Sequence, residues 1–236
     1  QRGAEELTRY LNLVYDALIA EVDRYGGSVL SFAGDAITCW FDHRAPDSLE
    51  LEANLGQTLA AHRAATCALA MQQAMQQFVS LPVPDGTMVG LAMKVAVAAG
   101  SVRRFLVGDS ALQLLDVLAG ATLERLAAAE HLAKPGEIVL DPTAATLLGC
   151  GAFVSEWRGG DEDPLNFAVI EGLPFLADPR PWPPLPQNAL DEAAVRPWVL
   201  APIFERARGG QGDLWAELRP AAALFLRFTG IDYDAS

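Results

Sequence analysis

A short β-hairpin is the strongest structural prediction in this sequence. Two apolar runs of strand length within residues 28–41 flank Ala33-Gly34-Asp35. Glycine permits a tight reversal there, and the turn leaves the Asp35 carboxylate at its tip. A carboxylate on a rigid turn is suited to holding a hard cation such as Mg²⁺. The alternative is an ordinary Gly-Asp turn, in which Asp35 is present because aspartate tolerates turn geometry.

Hydrophobic periodicity predicts a helix on each side of this hairpin. Residues 4–24 place apolar side chains at helical spacing and end at two glycines. After a polar loop at 43–48, an alanine-rich helix is predicted over 54–81. Residues 88–99 and 102–107 are then predicted to pair as a second hairpin around Gly100.

The second half of the chain alternates short strands with helices. A turn at Ala119-Gly120 is predicted to lead into a helix of about three turns that stops at Pro135-Gly136. A strand at 138–140 and a helix at 142–148 follow. A third hairpin is predicted from 152–157 and 165–171. Further predictions, in chain order, are a Pro-rich extended linker over 172–197, helices at 199–208 and 213–218, a strand at 221–228, and an exposed tail with Asp232 and Asp234.

Composition excludes several classes of function. The chain has 236 residues, 51% hydrophobic content and a formal net charge of −13. A chain of that length can bury a sizeable core, and the acidic balance without a Lys/Arg cluster argues against nucleic-acid and anionic-membrane partners. No apolar run reaches the length of a membrane span, and the three cysteines lack metal or disulfide spacing. A cytoplasmic domain is expected.

Three separated segments resemble segments of one known family, and they occur in the same order along the chain. They are the helix start Arg2-Gly3-Ala4-Glu5-Glu6-Leu7, the hairpin turn Phe32-Ala33-Gly34-Asp35, and Ala133-Lys134-Pro135-Gly136-Glu137-Ile138-Val139-Leu140. Together they are similar to the class III nucleotidyl cyclase domain, most like the first of the paired cyclase-homology domains in soluble, bicarbonate-responsive adenylyl cyclases and their bacterial multidomain relatives. The resemblance implies an α/β (α+β) fold with a ferredoxin-like βαββαβ core and a mainly antiparallel sheet covered by helices.

The resemblance also implies a site at the hairpin. Asp35 corresponds to one of two metal-binding aspartates, with Phe32, Ala33 and Gly34 beside the nucleotide. The implied cofactor is Mg²⁺ or Mn²⁺, and the implied reaction converts ATP to cyclic AMP and pyrophosphate. The partner is then a second cyclase-homology domain, in cis or in trans.

Several positions depart from the family pattern. The asparagine and arginine that the family places on the later helix correspond here to Glu124 and Ala128. A glutamate repels polyphosphate and an alanine offers no donor for developing charge, so no catalytic residue is intact there. Arg125 points about 100° away around the helix and cannot substitute. Ser31 and Ala127 stand where bicarbonate-sensing members carry a lysine and an arginine, so bicarbonate activation is not expected.

The family's other metal aspartate lies upstream of a segment like Arg2–Leu7, so the chain is expected to lack its first strand. The predicted organisation is a cyclase-like domain over 1–171, a linker over 172–198, and helices with the start of a second cyclase-like domain over 199–236, where Arg227 aligns with that domain's metal position. Two functions stay open: the metal-supplying half of an adenylate cyclase, inactive as an isolated chain, or a catalytically silent pairing or sensor module.

Overall fold

The computed structural model describes residues 2–42, 53–83, 86–159, 166–186 and 189–209, with residues 222, 230, 231, 233 and 234. Within these ranges the helices are α1 Arg2–Arg24, α2 Ala53–Met75, α3 Ala121–Leu132, α4 Pro142–Leu148, α5 Glu192–Val195 and α6 Ala201–Arg208. The strands are β1 Ser28–Ala33, β2 Ala36–Trp40, β3 Leu81–Pro82, β4 Met88–Val89, β5 Val95–Val97, β6 Arg103–Asp109, β7 Gln113–Ala119, β8 Ile138–Leu140, β9 Phe153–Arg158 and β10 Phe167–Gly172. In the described part, no helix has the length and apolar character that crossing a membrane requires.

A four-stranded sheet forms the centre of the fold. Its order is β5-β8-β10-β9, in which β5 and β8 run parallel and the other neighbours are antiparallel. Successive side chains of a strand point to opposite faces. On one face, Ile138 and Leu140 pack with α2 and α4, and on the other Val139 packs with α3. Because helices cover both faces, β8 is apolar at every position and fully buried. The predicted α+β class, with a mainly antiparallel sheet covered by helices, is confirmed.

Helix α1 packs along α2 through a stripe at helical spacing. Val14, Leu18 and Val22 are buried against Cys67 and Met71. These α1 positions recur every four residues and so lie on one helix face. The helix therefore delivers the chain directly into β1, through a turn in which Gly26 has φ +66°. Helix α2 ends at Met75, earlier than predicted, and continues as a 3₁₀ turn over Gln76–Phe78.

The predicted hairpin at the start of the chain is present. Strands β1 and β2 pair antiparallel, with Ala33 opposite Ala36 and Gly34 at φ +63° in the turn. Residues other than glycine adopt a positive φ only at a cost in free energy. A register shift between Val29 and Ser31 marks an irregularity in β1. The predicted hairpin is therefore confirmed, and Gly34 is the residue that allows its turn.

The second predicted hairpin is wrong. Residues 88–99 do not pair with residues 102–107: β5 pairs with β8 in the central sheet, and β6 pairs antiparallel with β7. The reason lies at Gly100, whose φ of +150° lets the backbone pass close to Thr122 and Arg125. A Cβ at Gly100 would lie 2.5 Å from the Thr122 hydroxyl oxygen. The glycine serves close approach to α3, and the chain reverses at residues 110–112 instead.

The Pro-rich segment that follows β10 lies against the domain. We call residues 173–182 the strap. The strap amide of Ala177 donates to Thr66 Oγ1 (3.0 Å), and the amide of Arg180 donates to the carbonyl of Arg24 (2.7 Å). The Trp182 indole donates to the carbonyl of Gly27 (2.7 Å). Over residues 173–182 the predicted extended linker is held in place by hydrogen bonds, including one from an aromatic side chain. The prediction is wrong at its far end, because Glu192–Val195 form α5 and Arg196–Trp198 form a 3₁₀ turn.

The C-terminal segment is described in part. Tyr233 contacts Phe105 edge to face, with ring centroids 6.1 Å apart, and Asp234 Oδ2 accepts a 2.8 Å hydrogen bond from the amide of Ala121, at the start of α3. Asp234 is exposed, as predicted, but it is bonded to the domain. The polar loop at 43–48, the helix at 213–218, the strand at 221–228 apart from residue 222, Arg227 and Asp232 lie outside the described residues.

Candidate functional site

Helix α1 contacts the Asp35 turn through Tyr15. The Tyr15 hydroxyl lies 3.2 Å from the Gly34 carbonyl oxygen, to which it donates a hydrogen bond. The Tyr15 ring also meets the Phe32 ring edge to face at 5.3 Å. Phe32, Ala33, Gly34 and Asp35 are all exposed. The structure thus places the predicted nucleotide and metal residues together on one accessible turn, and their roles stay predictions.

Strand β7 connects this hairpin with α3. It contacts β1 along one side and leads through Gly120 into the helix that carries Glu124 and Ala128. Glu124 is exposed in the first turn of α3, and Ala128 packs partly buried against the sheet. Neither side chain can donate a hydrogen bond to an anion at neutral pH. The structure places both residues on α3, and the loss of transition-state donors stays a prediction.

Arg125 belongs to an internal polar network. Its Nε donates to Asp141 Oδ2 at 2.7 Å, and its Nη2 donates to the Ala99 carbonyl at 2.9 Å. Asp141 is fully buried and also accepts from the amides of Ala144 and Ala99. The network joins α3 to the end of β5 and to the start of α4, so the one guanidinium on α3 is used inside the domain.

The described residues do not form a complete metal site. No group of three or more His, Cys, Asp or Glu side chains in the described ranges is arranged to hold a metal ion. Asp35 by itself offers one carboxylate, whereas Mg²⁺ and Mn²⁺ sites combine several oxygen ligands. The donors in the described part of the chain therefore do not fit a self-contained divalent metal site.

Sequence comparison finds a relative among curated proteins. No protein-family model matches the chain. Over 142 residues it is 25% identical to adenylate cyclase type 10 of Rattus norvegicus, an alignment that covers 60% of this chain and 8% of the rat protein. Only a small part of that protein is therefore represented here, and its activity does not transfer directly.

Comparison with solved structures decides the fold family. The guanylyl cyclase Cya2 superposes with a TM-score of 0.53 at 22% identity, covering 72% of this chain and 82% of that one. The adenylyl cyclase CyaB from P. aeruginosa gives 0.53 at 17% identity, covering 72% and 89%. This chain has the class III nucleotidyl cyclase fold. The resemblance predicted from its sequence is confirmed.

Two contacts at the candidate site are not predicted from the sequence. Tyr15 and the Arg125–Asp141 pair escape sequence reasoning because each acts through a partner at least 16 residues away in the chain. A tyrosine directly after Val14, at the edge of the apolar stripe of α1, is the sequence signal that could have drawn attention to Tyr15. Adenylyl and guanylyl cyclases are both among the cyclase-fold neighbours, so the fold does not specify the base of the nucleotide.

Proposed function

We propose that this chain is one half of a class III nucleotidyl cyclase pair and supplies the Asp35 turn to a site that a second cyclase-homology domain completes. The single observation that carries the proposal is the turn Phe32-Ala33-Gly34-Asp35, with its carboxylate exposed at the tip of a hairpin. The resemblance assigns a metal-ligating role to Asp35. The proposed substrate is ATP and the proposed products are cyclic AMP and pyrophosphate, with GTP as the competing substrate.

The partner is needed because α3 lacks the groups that such a reaction requires. Phosphoryl chemistry needs donors aimed at the charge that develops on the transferred group. Glu124 and Ala128 provide none, and Arg125 is paired with Asp141. In this proposal the second domain, in cis or in trans, supplies these donors and the residues that recognise the base.

The β6–β7 hairpin offers a surface for such a partner. Val107 lies opposite Leu115, and Phe105 lies opposite Val117, so the register puts all four side chains on one face. Val107, Leu115 and Val117 are 43%, 50% and 38% exposed. The ring of Tyr233 meets Phe105 on the hairpin. The three exposed apolar side chains favour association with another protein surface. This face supports pairing without specifying whether the partner is in cis or in trans.

A second candidate function is a catalytically silent pairing or sensor module. It is favoured by two features of the described residues: the carboxylate at Asp35 has no companions that complete a metal site, and the α3 guanidinium is used structurally. Such a module would keep the fold and the pairing face while its partner carries out the chemistry.

The deciding experiment measures nucleotide cyclisation by the full-length gene product. Cyclic AMP and cyclic GMP are assayed from ATP or GTP with Mg²⁺ or Mn²⁺, comparing the unmodified protein with Asp35→Asn. Asp16→Asn, an equal charge change at an exposed position of α1, is the matched control. Turnover that is lost in Asp35→Asn and kept in Asp16→Asn supports the enzyme half. Absence of turnover in the unmodified, folded protein favours the silent module, and turnover that survives Asp35→Asn contradicts the role proposed for Asp35.

A further inference from the structure

The turn between α1 and β1 is held by donors from two other parts of the chain. It comprises residues 24–27, of which Tyr25, Gly26 and Gly27 are buried. Each of its four carbonyl groups accepts a hydrogen bond from outside α1 and β1. Buried carbonyls need such partners, because an unpaired polar group away from water is costly. The elements that supply these donors therefore fix the root of the Asp35 hairpin.

Helix α2 supplies two of the donors through Arg63. Its Nη1 lies 3.1 Å from the carbonyl oxygens of both Tyr25 and Gly26. Its Nη2 donates to the carbonyl of Asp42, just after β2, and its Cζ lies 5.9 Å from the centroid of the Phe41 ring. One guanidinium thus joins the chain that enters the hairpin to the chain that leaves it.

The strap supplies the other two donors. The amide of Arg180 donates to the carbonyl of Arg24, and the indole of Trp182 donates to the carbonyl of Gly27, both at 2.7 Å. The backbone of Arg180 also passes close to Gly26, where an added Cβ would lie 2.7 Å from the Arg180 carbonyl oxygen. Arg180 is exposed, and Trp182 is 40% exposed. This half of the attachment can therefore be withdrawn without opening the core.

Arg180 brings a like charge to Arg63. Burial and next the positive charge of Arg180 lower the pKa of Arg63, and Asp42 opposes this effect. The two guanidinium groups are thus near enough to repel each other. Repulsion falls when the strap moves away, so it favours release, whereas the hydrogen bonds of Arg180 and Trp182 favour docking. The position of the strap at the turn depends on the balance of these opposing interactions.

We propose that the strap is a releasable clamp on the root of the Asp35 hairpin. In the docked state, Arg180 and Trp182 fix the turn from which β1 begins. In the released state Arg63 still holds the root, and the hairpin moves more freely, since within the described residues β1 and β2 form a sheet of their own. A partner that displaces the strap would thereby alter the setting of the Asp35 turn. The functional meaning of this clamp rests on the role proposed for that turn.

The test measures hydrogen exchange of the full-length gene product, without nucleotide, in peptides that span residues 28–41. Arg180→Pro removes the amide that donates to Arg24, and a proline run over residues 179–181 stays extended. Exchange in the hairpin should become at least threefold faster. Arg180→Ala keeps the amide but removes the charge that faces Arg63, so it should slow the same exchange at least twofold.

Two further variants complete the test. Trp182→Phe removes the indole donor and should act in the same direction as Arg180→Pro. Arg208→Ala removes one positive charge from an exposed position of α6 and should leave hairpin exchange unchanged. Exchange that is unaltered in both Arg180→Pro and Trp182→Phe, or that becomes faster in Arg180→Ala, would overturn the proposal. These readouts need no turnover, so a failure of the clamp is distinguishable from a failure of the proposed cyclase function.

Discussion

Arg125 Nε donates a 2.7 Å hydrogen bond to the fully buried carboxylate of Asp141. Replacing Arg125 by Met would leave that carboxylate without its cation. Removing one partner of a buried ion pair commonly costs about 3–5 kcal/mol, and the two amides that still donate to Asp141 place the expected loss near the lower end. Urea unfolding followed by circular dichroism measures the change.

An exposed ion pair of the same type provides the comparison. Arg104 is bonded to Asp116 on the β6–β7 hairpin, with 63% of the Arg104 side chain exposed. Solvent screening makes such pairs worth less than about 1 kcal/mol, so Arg104→Met should be nearly neutral. Equal losses of unfolding free energy in Arg125→Met and Arg104→Met would show that the burial of Asp141 does not make its ion pair with Arg125 more important for stability.

A methyl group at Gly100 should disturb the same network. Gly100→Ala has to adopt a φ of +150° and would bring its Cβ within 2.5 Å of Thr122 Oγ1 and 2.9 Å of Arg125 Nη2. We expect a loss of about 2–4 kcal/mol, since backbone strain and overpacking each cost roughly 1–3 kcal/mol. At Gly136 the φ is +89° and an added Cβ meets nothing within 4 Å. Gly136→Ala therefore measures strain alone and should cost less.

Acid should weaken the ion pair that joins β8 to β9. Hydrogen bonds from Arg158 lower the pKa of Glu137 from 4.5 to about 2. The Glu137 carboxylate thus stabilises the folded state fully above pH 4.5, and this stabilisation is lost as the pH falls from 4.5 towards 2. In Glu137→Gln the dependence of unfolding free energy on pH should be shallower in that window. An unchanged slope in Glu137→Gln would contradict this assignment.

Tyr15→Phe should loosen the turn that carries Asp35. The variant removes only the hydroxyl that donates to the Gly34 carbonyl, and an exposed hydrogen bond contributes about 1 kcal/mol or less. Global stability should change little, while backbone relaxation at residues 34–36 should report greater motion. Tyr10→Phe is the matched change on the same helix, because the Tyr10 hydroxyl donates to Pro82 instead (2.7 Å). Increased motion at the Asp35 turn in Tyr10→Phe would argue against a specific role for Tyr15.

Trp182→Phe should release the end of the strap. Phenylalanine keeps an aromatic ring but lacks the indole N–H that donates to the Gly27 carbonyl. Hydrogen exchange of the Arg180 amide, which donates to Arg24, should become faster. Trp157→Phe, at a side chain that is 58% exposed on β9, should leave this exchange unchanged. Unaltered exchange in Trp182→Phe would mean that the other strap contacts are sufficient.

The sequence predicts the elements whose causes are local. Gly34 is sufficient to place the first hairpin, and the spacing of Val14, Leu18 and Val22 is sufficient to place α1. Pairing of β5 with β8 is not local, because β6, β7 and α3 lie between residues 95–97 and residues 138–140 in the chain. Short apolar strands such as these carry no signal for their partner, so the sequence predicts that the first of them pairs with its nearest neighbour. The candidate site divides in the same way: Asp35, Glu124 and Ala128 follow from family resemblance, whereas the contacts of Tyr15 and Arg125 depend on the folded chain.

The bond from Trp182 to Gly27 has a consequence for the order in which the domain folds and opens. It joins residues 155 positions apart, and contacts between distant residues carry the largest loop-closure entropy. The strap is therefore expected to dock last during folding. It is also expected to detach first in the native state, by a partial opening that costs less than global unfolding. Such an opening would leave the central sheet intact while exposing the surface of α1 and α2 that the strap covers.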